Sequence, residues 1–159
     1  MTTRINHFQA APTLAKALSD ASIASHKSSL DSTIKNLIDI RVSQLNGCAF
    51  CLDMHVKQAK LKEERELRIH HLTIWRESPL FSAKEKAALA LAEALTRISE
   101  HGVSDELYRA VQEHFSETQL SELTFSIALI NTWNRLQILS RMTPGALDTA
   151  QGLDRANLR

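Results

Sequence analysis

Both cysteines of this 159-residue chain lie in the stretch Asn46-Gly47-Cys48-Ala49-Phe50-Cys51-Leu52-Asp53-Met54-His55. On a helix, residues three and four apart are neighbours. His55 can therefore reach the sulfur of Cys51, and Cys48 and Cys51 are close enough to form a disulfide. Asn46-Gly47 is a strong turn signal, and the residues after it read as helix. Cys48 then sits at a helix N-terminus, with Cys51 one turn further in. Such an end carries unpaired N–H groups and roughly half a positive charge, which favours an anion, here a thiolate. Together these residues supply a nucleophilic thiol, a base beside it and a second thiol able to resolve an oxidised sulfur. Two other readings stay open on the motif alone. One is a pair of buried cysteines with a core histidine, since Cys packs as a small hydrophobe. The other is zinc. A structural zinc site takes four ligands, however, and the missing donors would have to come from distant His70 or His71. No metal and no cofactor is therefore expected, and the His pair reads as a partly buried helix face.

The elements that must hold this stretch are all helical. Four glycines and three prolines leave few turns, hence few and long elements. Pro12 opens a small-residue helix to about Ser25. Asp31-Ser32 caps the next, whose stripe Ile34, Leu37, Ile38, Val42 and Leu45 runs to the Asn-Gly turn. The motif helix extends from about Cys48 to Leu61. A link this short makes the two antiparallel neighbours, with Val42 opposite Cys51, Ile38 opposite His55 and Asn36 just beyond. Further helices are expected over 63–77, 82–100, 104–115 and 116–141. Ser82/Glu85 and Ser116/Gln119 form capping boxes, and Ser78-Pro79 and Pro144-Gly145 act as stops. Residues 1–9 read as irregular and the tail from Ala146 as weakly helical or disordered. Trp75, Trp133 and Asn134 read as packing residues, and Asn131 and Asn134 as partners for buried backbone groups. The charged run Lys57 to Arg68 reads as a solvated face. The expectation is an all-α antiparallel bundle of about six to seven helices in one domain over 1–159.

Hydrophobic residues make up 43% and charged residues 23%, the balance of a globular protein with a real core. A net charge of +1 with no basic block argues against nucleic acid as partner. No apolar run is long enough to cross a membrane, and Met1 to His7 has no apolar signal core. A cytoplasmic location is expected. There a CxxC pair points to redox or metal chemistry rather than to a structural staple.

The run Leu37-Ile38-Asp39-Ile40-Arg41-Val42-Ser43-Gln44-Leu45-Asn46-Gly47-Cys48-Ala49-Phe50-Cys51-Leu52-Asp53-Met54-His55 resembles the core of the alkylhydroperoxidase D-like proteins, within the carboxymuconolactone decarboxylase superfamily. Trp75-Arg76-Glu77-Ser78-Pro79-Leu80-Phe81 and Asn131-Thr132-Trp133-Asn134-Arg135-Leu136 look like one branch of it. The likeness covers roughly Leu30 to Met142. It implies an all-helical fold whose subunits associate, commonly as trimers or hexamers, and thiol-dependent reduction of a hydroperoxide at the expense of a dithiol or protein reductant. By position, Cys51 matches the attacking thiol, Cys48 its disulfide partner and His55 the histidine of the proton relay. Two places depart from the family. Asn36 stands where a glutamate is usual, and Phe50 where a histidine lies between the cysteines. An amide is no base, so Asn36 could at most orient a water or His55, and a glutamate restored there is expected to speed the reaction. A decarboxylase or lactone-handling enzyme on the same fold is a rival, but that branch does not rely on a CxxC pair. A redox-sensing or interaction module with a reversible disulfide is another.

Overall fold

The computed structural model describes residues 3–158. The helices, in chain order, are α1 (His7–Ala10), α2 (Pro12–His26), α3 (Ser32–Asn46), α4 (Ala49–Leu61), α5 (Glu66–His71), α6 (Ala83–Thr96), α7 (Asp105–Gln112), α8 (Glu117–Ser140) and α9 (Asp148–Gln151). 3-10 turns follow α5 at Leu72–Ile74 and α9 at Leu153–Ala156. No strand occurs among the described residues, and the fold is the all-α bundle expected.

The axis of the bundle is α3, against which α4, α6 and α8 all pack. Residues 34–40 are buried without a break, a pattern possible only when a helix is covered on every side. One face of α3 carries Ile34, Ile38 and Val42 into a core with Ala88, Leu91 and Ala92 of α6 and Leu123, Ile127 and Ile130 of α8. A second face places Leu37 and Ile40 with Ala59, Leu72, Trp75, Phe81 and Leu89. The Asp31 carboxylate accepts from the Thr33 N–H at 2.7 Å and starts α3. Gly47 ends it in the left-handed conformation (φ +69°), which a residue without Cβ adopts at no steric cost. Both capping boxes form as expected, Ser82 with Glu85 on α6 and Ser116 with Gln119 on α8.

The departures cluster where the chain must bend. The helix expected over 63–77 is broken: Glu63 takes φ +61°, and α5 tightens into a 3-10 turn after His71. His71 Nδ1 lies 3.0 Å from Ser78 Oγ, which folds the following loop back on the helix. At the end of α6 the core pattern stops with Leu95, Ile98 is exposed, and the helix stops at Thr96, short of the expected residue 100. Within residues 1–9, expected irregular, His7–Ala10 begins a turn of helix capped by the Asn6 side chain. Nor is the tail irregular throughout: Leu153 and Ala156 are buried, packed with their 3-10 turn against α4. Lys57, expected on a solvated face, is buried because it clamps that tail, donating to Asp53 Oδ2 at 2.8 Å and to Asp148 Oδ2 at 2.7 Å.

Glu93 ties three elements together. It accepts from Arg41 Nε of α3 at 2.7 Å and from Trp75 Nε1 at 2.9 Å, and Arg76 Nη1 lies 2.6 Å away. Burial pushes its carboxyl up, but the hydrogen bonds from Trp75, Arg41 and Arg76 outweigh it and hold the group below the usual glutamate range. A carboxyl lowered in the folded state contributes stability above its unfolded value and loses it as pH falls through the folded one. Glu93→Gln is therefore expected to cost about 1–2 kcal/mol at pH 7. The difference from wild type should close as pH falls well below about 4.3. Urea unfolding at the two pH values checks both.

Candidate active site

Cys48 is the N-cap of α4: its Sγ accepts from the Cys51 N–H at 3.3 Å. The two cysteines are joined as a disulfide, with Cα atoms 5.3 Å apart. Both are buried, in a cluster with Phe50, Met54, Met142 and Leu147. The turn that delivers Cys48 is held from α8. Asn46 Nδ2 donates to Asn131 Oδ1 at 3.0 Å and to Asn134 Oδ1 at 2.9 Å, and Asn134 Nδ2 donates to Ser43 Oγ at 3.2 Å. Asn131 and Asn134 thus serve the side chains of the α3–α4 turn. Asn131 also bonds backbone, donating to the carbonyl of Ile127.

Cys51 and His55 line a cavity of about 320 Å³, whereas Cys48 does not reach it. Phe8, Ile23, Phe50, Met54, Leu129 and Trp133 supply apolar wall; His26, Lys35, Asp39 and Gln58 join His55 at the polar part. His55 Nδ1 lies 2.8 Å from Gln58 Oε1. With the amide oxygen as acceptor, Nδ1 is the donor, and of the two neutral tautomers this contact selects the one with its lone pair on Nε2. Asp39 Oδ2 is 3.8 Å from the same Nδ1 and 3.7 Å from Lys35 Nζ. Lys35 in turn donates to Ser126 Oγ of α8 at 2.8 Å. His26 reaches in from the end of α2. Partial burial, then the Lys35 ammonium, lower its imidazole below the usual range and favour its neutral form. The N-terminal helices close the cavity: Phe8 stacks on Trp133 with ring centroids 6.2 Å apart, and Trp133 Nε1 donates to Ser22 Oγ at 2.9 Å. Trp133 is therefore both packing residue and cavity wall.

Of the residues singled out by sequence, Cys48, Cys51 and His55 are brought together. Asn36 is buried on the same helix as Asp39 but is not in the cavity wall, and its Oδ1 accepts from Lys62 Nζ at 3.3 Å. Phe50 forms part of the wall in the place of the family's histidine. His70 and His71 stay apart: His70 is exposed, and His71 is engaged with Ser78. Ile38 and Val42, expected opposite His55 and Cys51, turn into the main core instead. Asp39, one residue on and about 100° round the helix, is the one that faces His55. Asp39, Lys35 and His26 were not singled out beforehand. The available signal was a Lys and an Asp four apart, one turn of helix, inside an otherwise apolar run.

A model of the carboxymuconolactone decarboxylase family matches residues 10–94. The uncharacterized protein YdfG of Bacillus subtilis is 44% identical over 138 residues, 87% of this chain and 94% of that protein. A crystal structure of a protein of unknown function from Agrobacterium tumefaciens, described as a putative antioxidant defence protein AhpD, superposes with TM-score 0.87 at 36% identity, over 91% of this chain and 99% of that one. The debrominase Bmp8, in complex with 2,3,4-tribromopyrrole, shares the fold at TM-score 0.77 and 20% identity, over 94% of this chain and 79% of its own. The family match spans α2, α3, the Cys48–Cys51 turn and α4, which carry Cys51, His55, Asp39, Lys35 and His26 into the cavity, and this chain belongs to the carboxymuconolactone decarboxylase family, on its alkylhydroperoxidase D-like side.

Proposed function

We propose that the protein is a thiol-dependent peroxidase that reduces organic hydroperoxides through a Cys48/Cys51 dithiol–disulfide cycle. The observation that carries this reading is the asymmetry of the pair: Cys51 opens on the cavity beside His55, and Cys48 lies behind it within bonding distance. In the reduced protein, His55 Nε2 takes the Cys51 proton. The thiolate attacks the terminal peroxide oxygen, the O–O bond breaks, and the departing alkoxide takes the proton from His55 and leaves as alcohol. Cys51 is then a sulfenic acid. The Cys48 sulfur attacks it, the S–O bond breaks, water leaves and the disulfide forms. A dithiol or protein reductant returns both thiols. The apolar wall of Phe8, Leu129 and Trp133 suits the organic part of a hydroperoxide better than hydrogen peroxide alone.

Steady-state consumption of cumene hydroperoxide with a dithiol donor tests the reading. Turnover, together with the loss of two hydrogens between Cys48 and Cys51 by mass spectrometry, is the expected result. A single stoichiometric oxidation with a change in particle size would instead identify a redox-sensing module. Copies of the chain are proposed to associate as a trimer or hexamer, and light scattering giving a monomer at micromolar concentration would refute that.

A further inference from the structure

We infer that Asp39 is the positioning carboxylate of His55, supplying from one helical turn further along α3 the acidic group that residue 36 lacks. The proposal rests on the peroxidase reading for its purpose, although the coupling of Asp39 to Cys51 can be measured without it.

The geometry excludes Asn36 from this part: its amide oxygen is occupied by Lys62, and its side chain lies outside the cavity. Asp39 is 3% exposed, lines the cavity and has its Oδ2 3.8 Å from His55 Nδ1. That separation is too long for a hydrogen bond but short for two charges in a buried site, where an anion favours the protonated imidazole. A buried Lys–Asp pair such as Lys35–Asp39 is a poor source of stability, because desolvation offsets the attraction and two apolar residues would serve as well. Its place at the polar part of a thiol-lined cavity gives it a different use. When His55 Nε2 takes the Cys51 proton, positive charge appears on the ring. Asp39 faces the Nδ1 side, where Gln58 already fixes the tautomer.

The titratable groups that share the cavity with His55 are Asp39 and Lys35 from α3 and His26 from α2; Lys62, just beyond the end of α4, acts on His26 from outside the wall. From α8 come only the neutral Ser126, which holds Lys35, and Gln137 in the cavity wall. Burial and the Lys35 ammonium favour the neutral form of His26, which weakens it as a competing cation. Lys35 offsets part of the Asp39 charge, so the effect of Asp39 is graded rather than absolute.

The test is the pH profile of Cys51 alkylation by iodoacetamide in the reduced full-length protein, resolved from Cys48 by mass spectrometry, alongside the rate of Cys51 oxidation by cumene hydroperoxide. In Asp39→Asn the midpoint of the alkylation profile is expected to move up by about one pH unit, and the oxidation rate at pH 7 to fall about tenfold. Asp39→Glu, which keeps the charge, should recover most of the shift. A merely structural Asp39 would lower the melting temperature and leave the midpoint in place, which would overturn the assignment. Should Asp39→Asn not fold, Asp39→Ser carries the same measurement with the same expected and contrary outcomes. The two readings fail separately. A shifted midpoint in a protein that consumes no hydroperoxide would refute the peroxidase and keep Asp39. Hydroperoxide turnover with coincident profiles would do the reverse.

Discussion

Cys51→Ser is expected to abolish hydroperoxide turnover, while Cys48→Ser leaves one round of reaction and then stops. A serine hydroxyl in place of the Cys51 thiol has no accessible anionic form near neutral pH, so neither multiple nor single turnover survives. In Cys48→Ser the attacking thiol and His55 are untouched, and the cavity is unchanged because Cys48 is not part of its wall. About one equivalent of peroxide per chain should be consumed in a burst. Cys51 is left as a sulfenic acid that further peroxide drives to the sulfinic state. The second substitution is also structurally gentle. Cys48 serves as the N-cap of α4 through its sulfur, and serine is among the strongest caps, so a loss of turnover cannot be ascribed to a frayed helix. Stopped-flow peroxide consumption with mass analysis of residue 51 reads both outcomes. A burst retained by Cys51→Ser and lost in Cys48→Ser would transfer the attacking role to the cap thiol.

The largest effect on stability is expected at Lys57, far from the reacting atoms in role but on the same helix. Its ammonium is held between Asp53 one turn before it on α4 and Asp148 at the start of α9. Asp53 Oδ2 also accepts from the Gly145 N–H at 3.0 Å. Removing one partner from a buried ion pair costs about 3–5 kcal/mol. Here the carboxylates keep roughly a quarter of their exposure (side chains 27% and 24% exposed) and regain hydration, so Lys57→Met is expected to cost about 2–3 kcal/mol. For a chain of this length that lowers the melting temperature by about 5–10 °C. The hydrogen bond to Asp148, then that to Asp53, raises the Lys57 ammonium above the usual lysine range. A cation raised in the folded state stabilises fully below its unfolded value, about 10.4, and loses that contribution as pH rises through the folded one. The gap between wild type and Lys57→Met should therefore persist at neutral pH and close only at strongly alkaline pH. Circular dichroism melts at pH 7 and above pH 10 check this. Because Leu147 and Gln151 reach the cavity wall from the clamped segment, proteolysis of Lys57→Met should also release the C-terminal residues first.

What could be read along the chain was whatever acts over a few residues. The scarcity of Gly and Pro indicated a helical protein, and the Asn46-Gly47 turn put Cys48 at the head of α4. The Ser82/Glu85 and Ser116/Gln119 pairs marked two helix starts, because a cap is a bond between residues three apart. The spacing of Cys48, Cys51 and His55 set two sulfurs and an imidazole within a turn of one another for the same reason. Packing of α3 against three other helices decided the remainder. Asp39 rather than Ile38 meets His55, because a one-residue difference turns a side chain about 100° and only the cores on either side decide which way. Lys57 is buried because Asp148, 91 residues later, comes to it. Asn36 is drawn to Lys62 rather than to the cavity by the position of the end of α4. Cys51 rather than Cys48 faces the cavity because α2 and α8 close over that side of α4, with Trp133 fastened to Ser22 and stacked on Phe8. The contacts of Lys57 with Asp148 and of Ser22 with Trp133 join residues 91 and 111 positions apart, and no local signal of spacing or capping reaches that far.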